Sequence, residues 1–481
     1  MKIFNLVDNG SAKYLQLAES VKQNIRMGKL LPGDPLPSVK AFSEDMGLNR
    51  HTIMKAFAEL IAEGWVESQQ RIGYSVGSKI PIEGSKTAAP KQQVHAKFDF
   101  RLIRAGTALS ATPATHFTYN YSGGQPDLSK FPFNEFKRHM SSTLARPNIE
   151  QFSYGETKGV PELIQQIQTY LRKSRSITNR DIIITNGSQE ALYIVAQLLL
   201  QKGEQVAVEA LGYPPAMAVF KNAGANLAAI KQDVKGIIPE DLEYKILNGN
   251  IKLIYLTPLH QYPTTVTLPI ARRMAVYQLA SKYKIPIIED DYDHEFHYRS
   301  QPLAPMASDD PQQLVIYLST FSKVMFPGAR IGILAVSDTL AKAIAEYRMM
   351  ISHKGNVLMQ LALAKWMESG GFERHLKRMT RIYMARRDHA IKFLEQLEVF
   401  DFICPDGGMA LWVKLKNTSI NTAILATQAK QHGIYLQHEK QYHTTPCNNQ
   451  NNHLRIGFAS MPEQKFSEGL SIVANLIAQN K

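Results

Sequence analysis

The chain has 481 residues, 44% hydrophobic and 20% charged, with only two cysteines. Such a length exceeds one ordinary domain, and the composition is that of a globular protein with ample core. No apolar run reaches membrane-spanning length, the first residues lack the apolar core and cleavage site of a signal peptide, and the widely spaced Cys404 and Cys447 offer neither a disulfide framework nor a metal site. A cytoplasmic protein without structural metal is expected. The net charge of +13 points to a polyanionic partner. It does not locate that partner, because residues 1–80 hold ten Lys/Arg against eight Asp/Glu, only +2.

The chain order begins with an amphipathic stripe, Leu17, Val21 and Ile25, which predicts a helix over Tyr14–Met27. Gly28, Pro32, Gly33, Pro35 and Pro37 break it. Ser38 is placed to cap a second helix running to about Met46. Gly47 supplies a turn, and Asn49 caps a third helix from Arg50, with Ile53, Phe57, Leu60 and Ile61 on one face and Gly64 at its end. Trp65–Ser68 and Tyr74–Val76 read as two short strands around a turn that contains Arg71. Three helices and a β-wing make a winged helix-turn-helix over residues 1–78. In that geometry the third helix enters the major groove of double-stranded DNA, with Arg50 reaching base edges or phosphate and Asn49 and Thr52 making short polar contacts. Lys40 would meet the backbone, and Arg71 at the wing tip the minor groove. Leu36-Pro37-Ser38, a basic residue, Gly47, Asn49-Arg50-His51-Thr52 and Glu63-Gly64 resemble the GntR family of regulators. Two positions depart from its pattern: Lys40 stands where arginine is usual, and Asn49 where serine or threonine is. Lysine gives up the bidentate geometry of arginine there.

Residues 79–118 read as a linker. Lys79–Lys97 is polar and aperiodic, a flexible tether, whereas Phe98–Phe117 carries apolar residues without a clear period and its fold stays open. From Tyr119 to Lys481, short apolar runs alternate with amphipathic helices. Strands are predicted at Asp181–Thr185, Gln205–Glu209, Lys252–Thr257, Ile285–Asp290, Leu314–Ser319 and Ile331–Val336. Near-continuous apolar strands between helices indicate a mostly parallel α/β sheet, in which ligands sit at strand carboxyl ends.

The chemistry-bearing residues fall at those ends. Lys323 can form a Schiff base with an aldehyde if its surroundings depress its pKa. Asp290 can pair with a pyridinium nitrogen, and Tyr292 with a ring hydroxyl. Arg330 is a fork for phosphate, beside Ser322, and Gly187, Ser188 and Gln189 open a helix whose N–H groups meet the same anion. Tyr213 can stack on a ring. Each residue alone is better read as solvated lysine, surface acid or turn; the joint order makes pyridoxal 5'-phosphate the expected cofactor.

These segments look like a fold-type I aminotransferase: Tyr154-Gly155, Thr185 to Gln189, His260 to Thr264, Glu289 to Tyr292, Thr320 to Lys323, Arg330-Ile331-Gly332 and Leu454 to Gly457. The resemblance implies a large sheet domain and a smaller C-terminal α+β domain over about 345–481. It also implies a substrate carboxylate on Arg455, and a homodimer in which Tyr154 reaches the partner's phosphate site. Fused to a GntR head, the whole resembles the MocR subfamily. That implies a multidomain α/β transcription regulator that binds paired operator half-sites and senses pyridoxal phosphate, an amine or an amino acid. The alternative is a working aminotransferase with an autoregulatory head; an empty dimerisation scaffold explains the residues least. Tyr262 stands where aminotransferases have asparagine, and Thr265 where they have glycine, which favours regulator over efficient enzyme. Pro215 stands where some amine-sensing members carry a second carboxylate-binding arginine.

Overall fold

The computed structural model describes residues 4, 11–69, 73–78, 117–298, 303–445 and 452–479. Arg71 and nearly all of the linker lie outside the described residues. The chain forms two compact units, Met1–Ile103 and Arg104–Lys481.

In the first unit, α1 (Lys13–Arg26), β1 (Pro35–Leu36), α2 (Val39–Met46), α3 (Arg50–Ala62), β2 (Val66–Gln69) and β3 (Gly73–Val76) follow one another. Ser38 Oγ accepts the Ala41 N–H and Asn49 Oδ1 the His51 N–H, so both predicted caps form. Gly47 ends α2 at φ 62. The two wing strands gain a third, giving the sheet order β1-β3-β2. The apolar stripes of α1 and α3 meet over Phe42, Phe57 and Trp65, and a Lys22–Glu63 ion pair ties the same two helices together. Ile61 departs from the expected buried face: it is 38% exposed, and Ala56 takes the inward position. The 3.6-residue period puts 56, 57 and 60 on one side and rotates 61 off it.

The second unit is built on a seven-stranded sheet. Helix α4 (Pro161–Arg175) precedes β4 (Asp181–Thr185), α5 (Ser188–Leu199), β5 (Gln205–Glu209), α6 (Pro214–Asn222) and β6 (Asn226–Ile230). Then come β7 (Ile251–Leu256), α7 (Ile270–Tyr283), β8 (Ile287–Asp290), β9 (Val315–Thr320) and β10 (Gly332–Val336). The order is β4-β10-β9-β8-β7-β5-β6. All neighbours are parallel except β10, which runs against both β9 and β4. Five of the strands are buried along nearly their whole length, as expected for a sheet covered by helices on both faces. Beyond α8 (Gly371–Leu397), a four-stranded sheet orders β11 (Phe400–Phe402), β12 (Ala410–Leu415), β14 (His453–Gly457) and β13 (Gln437–His438). Tyr119–Asn120 pairs with Ile434–Tyr435, so the segment entering this unit belongs structurally to its C-terminal part. No helix among the described residues is long and apolar enough to cross a membrane.

Candidate functional site

The carboxyl ends of the parallel strands bring the predicted residues together. Asp290 ends β8 and is 4% exposed. Its Oδ2 accepts from the Tyr255 hydroxyl at 2.8 Å, while Oδ1 is buried without a hydrogen bond among the described residues. Burial pushes its carboxyl up to about 7; the Tyr255 hydrogen bond and Lys323 act against that, and Asp291 and Asp293 with it. An unused acceptor in such a place fits a donor arriving with a ligand.

Three residues beyond β9, Lys323 donates its Nζ to the Gly124 carbonyl at 2.7 Å. Burial lowers the pKa of its amine, the direction a lysine nucleophile needs. Beside it, Ser322 Oγ accepts from Thr320 Oγ1 at 3.0 Å.

Arg330 and Gly187 come together where β4 meets α5. Arg330, in the left-handed region at φ 52, sends Nη2 to the Asn186 carbonyl at 2.7 Å. A Cβ on Gly187, whose φ is +86, would lie 2.8 Å from that guanidinium, so only glycine allows the close approach. Guanidinium and helix N-terminus thus converge with Ser188 opening α5. The Gln189 side chain is spent elsewhere, donating to the Pro215 carbonyl at 3.0 Å.

Three tyrosine rings cluster around Tyr262. Tyr213 meets Tyr262 edge-on at 5.0 Å, and Tyr262 meets Tyr292 at 6.0 Å and Tyr442 at 5.6 Å. The Tyr292 hydroxyl donates to the His260 carbonyl at 2.9 Å. Arg455, on β14 and 1% exposed, lies over the Tyr262 ring at 4.3 Å with Nε and Nη1 unpaired among the described residues. A buried guanidinium with free N–H groups suits a carboxylate. A Cβ on Gly123 would lie 1.5 Å from Arg455 Nη1. Gly123→Ala is therefore expected to cost about 1–3 kcal/mol in denaturant unfolding by displacing the guanidinium. An unchanged midpoint would contradict that placement. Thr265 takes a left-handed φ of 62.

Tyr154 stands apart from this cluster, 86% exposed, its ring 5.7 Å from that of His353. On the head, Lys40, Asn49 and Arg50 are exposed and Thr52 is half-buried; His51, Met54 and Lys55 share the outward side of α3 with Arg50. Gly124 and Tyr255 bond to Lys323 and Asp290, and His260 bonds to Tyr292 and Asp293, although the sequence assigned Gly124, Tyr255, His260 and Asp293 no role. The only signal was the quoted motif context of His260 and the acid run that ends at Asp293.

Residues 120–473 match the family model described as aminotransferase class I and II. The chain belongs to that family. Its residues 13–76 match the gntR family of bacterial regulatory proteins. Along nearly the whole chain it is similar to the probable rhizopine catabolism regulatory protein MocR of Rhizobium meliloti, 28% identical over 466 residues that cover 95% of this chain and 92% of the relative. An uncharacterized HTH-type transcriptional regulator of Bacillus subtilis, YhdI, is 30% identical over 380 residues, covering 79% of this chain and 77% of its own. Among solved structures, kynurenine aminotransferase from Pyrococcus horikoshii superposes with a TM-score of 0.71 at 28% identity, over 76% of this chain and 92% of that one. The chain is thus a class I and II aminotransferase-family member with a DNA-binding GntR head, the arrangement of MocR-type transcription regulators. The aminotransferase family to which its body belongs depends on pyridoxal phosphate.

Proposed function

We propose that this protein is a homodimeric transcription regulator whose body holds pyridoxal 5'-phosphate and reads the cofactor itself or an amine or amino acid. The observation that carries the reading is the convergence, at the strand ends, of Lys323, of Asp290 with its unpaired Oδ1, and of Arg330 with the start of α5. When bound, the cofactor supplies an aldehyde for an amine and an electron-withdrawing ring. Lys323 would hold the aldehyde carbon, Asp290 the ring nitrogen, Tyr292 the ring hydroxyl, and Tyr213 the ring face. Arg330, Ser322 and the N–H groups of Gly187, Ser188 and Gln189 would hold the phosphate. Arg455 would take a ligand carboxylate, with Tyr262 covering one face of its guanidinium.

A second copy is supported by an exposed apolar patch. Ile149, Tyr154 and Met350 are each more than 70% exposed, and Lys354 ties their two segments together by donating to the Gln151 and Ser153 carbonyls. Exposed apolar side chains grouped in this way support an interface with a second copy. Tyr154 would enter the partner's phosphate site, and two heads would meet paired half-sites. Lys40, Asn49, Arg50, Thr52 and Arg71 would contact the DNA. A ligand must favour one arrangement of the heads to act at all.

The test is a band shift of the full-length protein on its own upstream DNA, with and without pyridoxal phosphate. A cofactor-dependent shift supports the reading; identical binding curves oppose it. Arg50→Ala is expected to weaken operator binding roughly 5- to 150-fold, as a lost base contact of about 1–3 kcal/mol implies. Wild-type affinity would remove Arg50 from the interface. The complete set of Lys323, Asp290 and Arg455 also permits a working aminotransferase. Steady turnover with a 2-oxoacid acceptor would favour that second reading.

A further inference from the structure

Helix α5 opens with a carboxylate that the site described above leaves unused. Glu190, in the first turn, reaches back along the chain and spends both oxygens on one residue. Its Oε2 accepts the Asn186 N–H at 2.6 Å, and its Oε1 accepts from Asn186 Nδ2 at 2.9 Å. A glutamate in a first turn commonly caps its helix by accepting one backbone N–H at the cap residue. The cap residue here is Gly187, and Asn186 stands before it. The second bond, to a side chain outside the helix, adds nothing to capping. Glu190 thus holds the turn that precedes the helix.

The same turn is held at two further points. Arg330 Nη2 donates to the Asn186 carbonyl at 2.7 Å, and Thr185 Oγ1 to the Gly187 carbonyl at 3.0 Å. A peptide unit is planar, so fixing each carbonyl fixes the N–H on its far side, that of Gly187 and that of Ser188. Strand β10 presses close behind: a Cβ on Gly332 would lie 2.6 Å from the Gly187 carbonyl carbon and 2.8 Å from the Ser188 nitrogen. Arg348, on the helix Asp338–Ile351, is fully buried, and its Nη2 lies 3.9 Å from Glu190 Oε2. Arg348 also donates to the Ile184 carbonyl at 2.6 Å and to the Thr157 carbonyl. That guanidinium offsets the Glu190 charge, so the carboxylate can stand near a site for an anion without repelling it in full.

We propose that Glu190 is a positioning residue for the cofactor phosphate: by clamping Asn186 it sets the directions of the Gly187 and Ser188 N–H groups, with Arg348 as its counter-charge. The inference rests on the cofactor reading above. A residue that served the fold alone would weaken every ligand alike. A mis-set turn weakens the hold on a phosphate and spares a ligand without one, whose aldehyde, ring nitrogen and ring hydroxyl would still meet Lys323, Asp290 and Tyr292.

The experiment titrates pyridoxal 5'-phosphate and pyridoxal, separately, into the full-length protein, follows the absorbance of the lysine adduct, and takes the ratio of the two dissociation constants. Glu190→Ala is expected to lose about ten-fold of the preference for the phosphorylated form, the scale of one charge-assisted hydrogen bond to the anion, with pyridoxal affinity within about two-fold of wild type. Glu190→Gln keeps an acceptor for the Asn186 N–H, and with the Asn186 amide turned over both bonds re-form, so it should restore most of the preference. An alanine variant with the wild-type ratio overturns the proposal, and so do equal losses for the two ligands. A glutamine variant as impaired as alanine also overturns it, by assigning the effect to charge. If the alanine variant does not fold, judged by its melting temperature, Glu190→Met keeps the stem without its acceptors and carries the same comparison. Wild-type protein that gains no mass on Lys323 after borohydride reduction with pyridoxal phosphate sinks the cofactor reading itself, and the proposal with it.

Discussion

Asp290→Asn is expected to weaken pyridoxal phosphate binding roughly ten- to a hundred-fold, while making the cofactor-free protein more stable at pH 8. The first effect follows from the loss of a charge-assisted hydrogen bond, worth about 1.5–3 kcal/mol, at the unpaired Oδ1. The second follows from the carboxyl's environment. Burial pushes its pKa up to about 7, above the ordinary value of about 3.9 for an unfolded chain. A carboxyl raised in this way favours the folded state at low pH, and the advantage is lost as pH rises from about 4 through about 7. Asparagine cannot ionise, so above pH 7 the variant escapes a penalty on the order of 2–4 kcal/mol. At pH 5 the two proteins should differ far less. Thermal unfolding at pH 5 and pH 8, with cofactor titrated by absorbance, reads both effects. Cofactor binding equal to wild type would remove Asp290 from the ring site, and a variant less stable at pH 8 would refute the burial argument. A binding residue that destabilises its own unliganded fold is the expected pattern for a preorganised site.

Arg175→Met should cost about 3–5 kcal/mol of stability, the largest loss expected from any single change discussed. Arg175 ends α4 and Asp291 follows β8; both side chains are at most 2% exposed and their charged atoms are 2.5 Å apart. The Tyr317 hydroxyl also donates to Asp291 at 2.7 Å, and Arg175 Nη1 donates to the Leu303 carbonyl. Burial pushes the Asp291 carboxyl up, but Arg175, His294 and Tyr317 more than offset it, so its pKa lies below the ordinary value. A lowered carboxyl contributes stability above about pH 4, and that contribution is lost as pH falls through its folded value. In the methionine variant Asp291 has lost its main counter-charge and gains by taking up a proton. The deficit should therefore be largest at neutral pH and shrink on acidification. Chemical denaturation at pH 7 and pH 4.5 measures this; a deficit that does not depend on pH would point to lost packing alone. Asp291 also anchors the end of β8, its N–H donating to the Leu318 carbonyl and its own carbonyl accepting from Ser319 Oγ. Loosening it should displace Asp290 and weaken cofactor binding.

The two pairs show why part of the site was readable and part was not. Lys323, Asp290, Arg330 and Gly187 each follow or precede an apolar run that declares a strand, and strand-end placement is a local property. Arg175 with Asp291, or His260 with Asp293, are far apart along the chain, and no spacing announces that they meet. The same holds for Arg455 over Tyr262, which joins the small sheet to a loop of the large one. Strand β6 escaped notice because Asn226-Leu227-Ala228-Ala229-Ile230 is poor in β-branched residues; pairing with β5 makes it a strand. Ile61 looked inward by composition and is turned outward by helical phase.

By itself the amino-acid order determined the two-part architecture, the helix caps at Ser38 and Asn49, and the residues at the strand carboxyl ends. Those depend on local periodicity and on side chains bonding to neighbouring backbone, which short stretches encode. Only the tertiary structure decided which acid in the run beside β8 serves which partner. Asp290 is marked by its place at the strand end, but nothing in the sequence separates the roles of Asp291 and Asp293. Burial removes the water that would keep the acids alike, and each then takes its character from the one group the fold sets against it: Tyr255, Arg175 or His260.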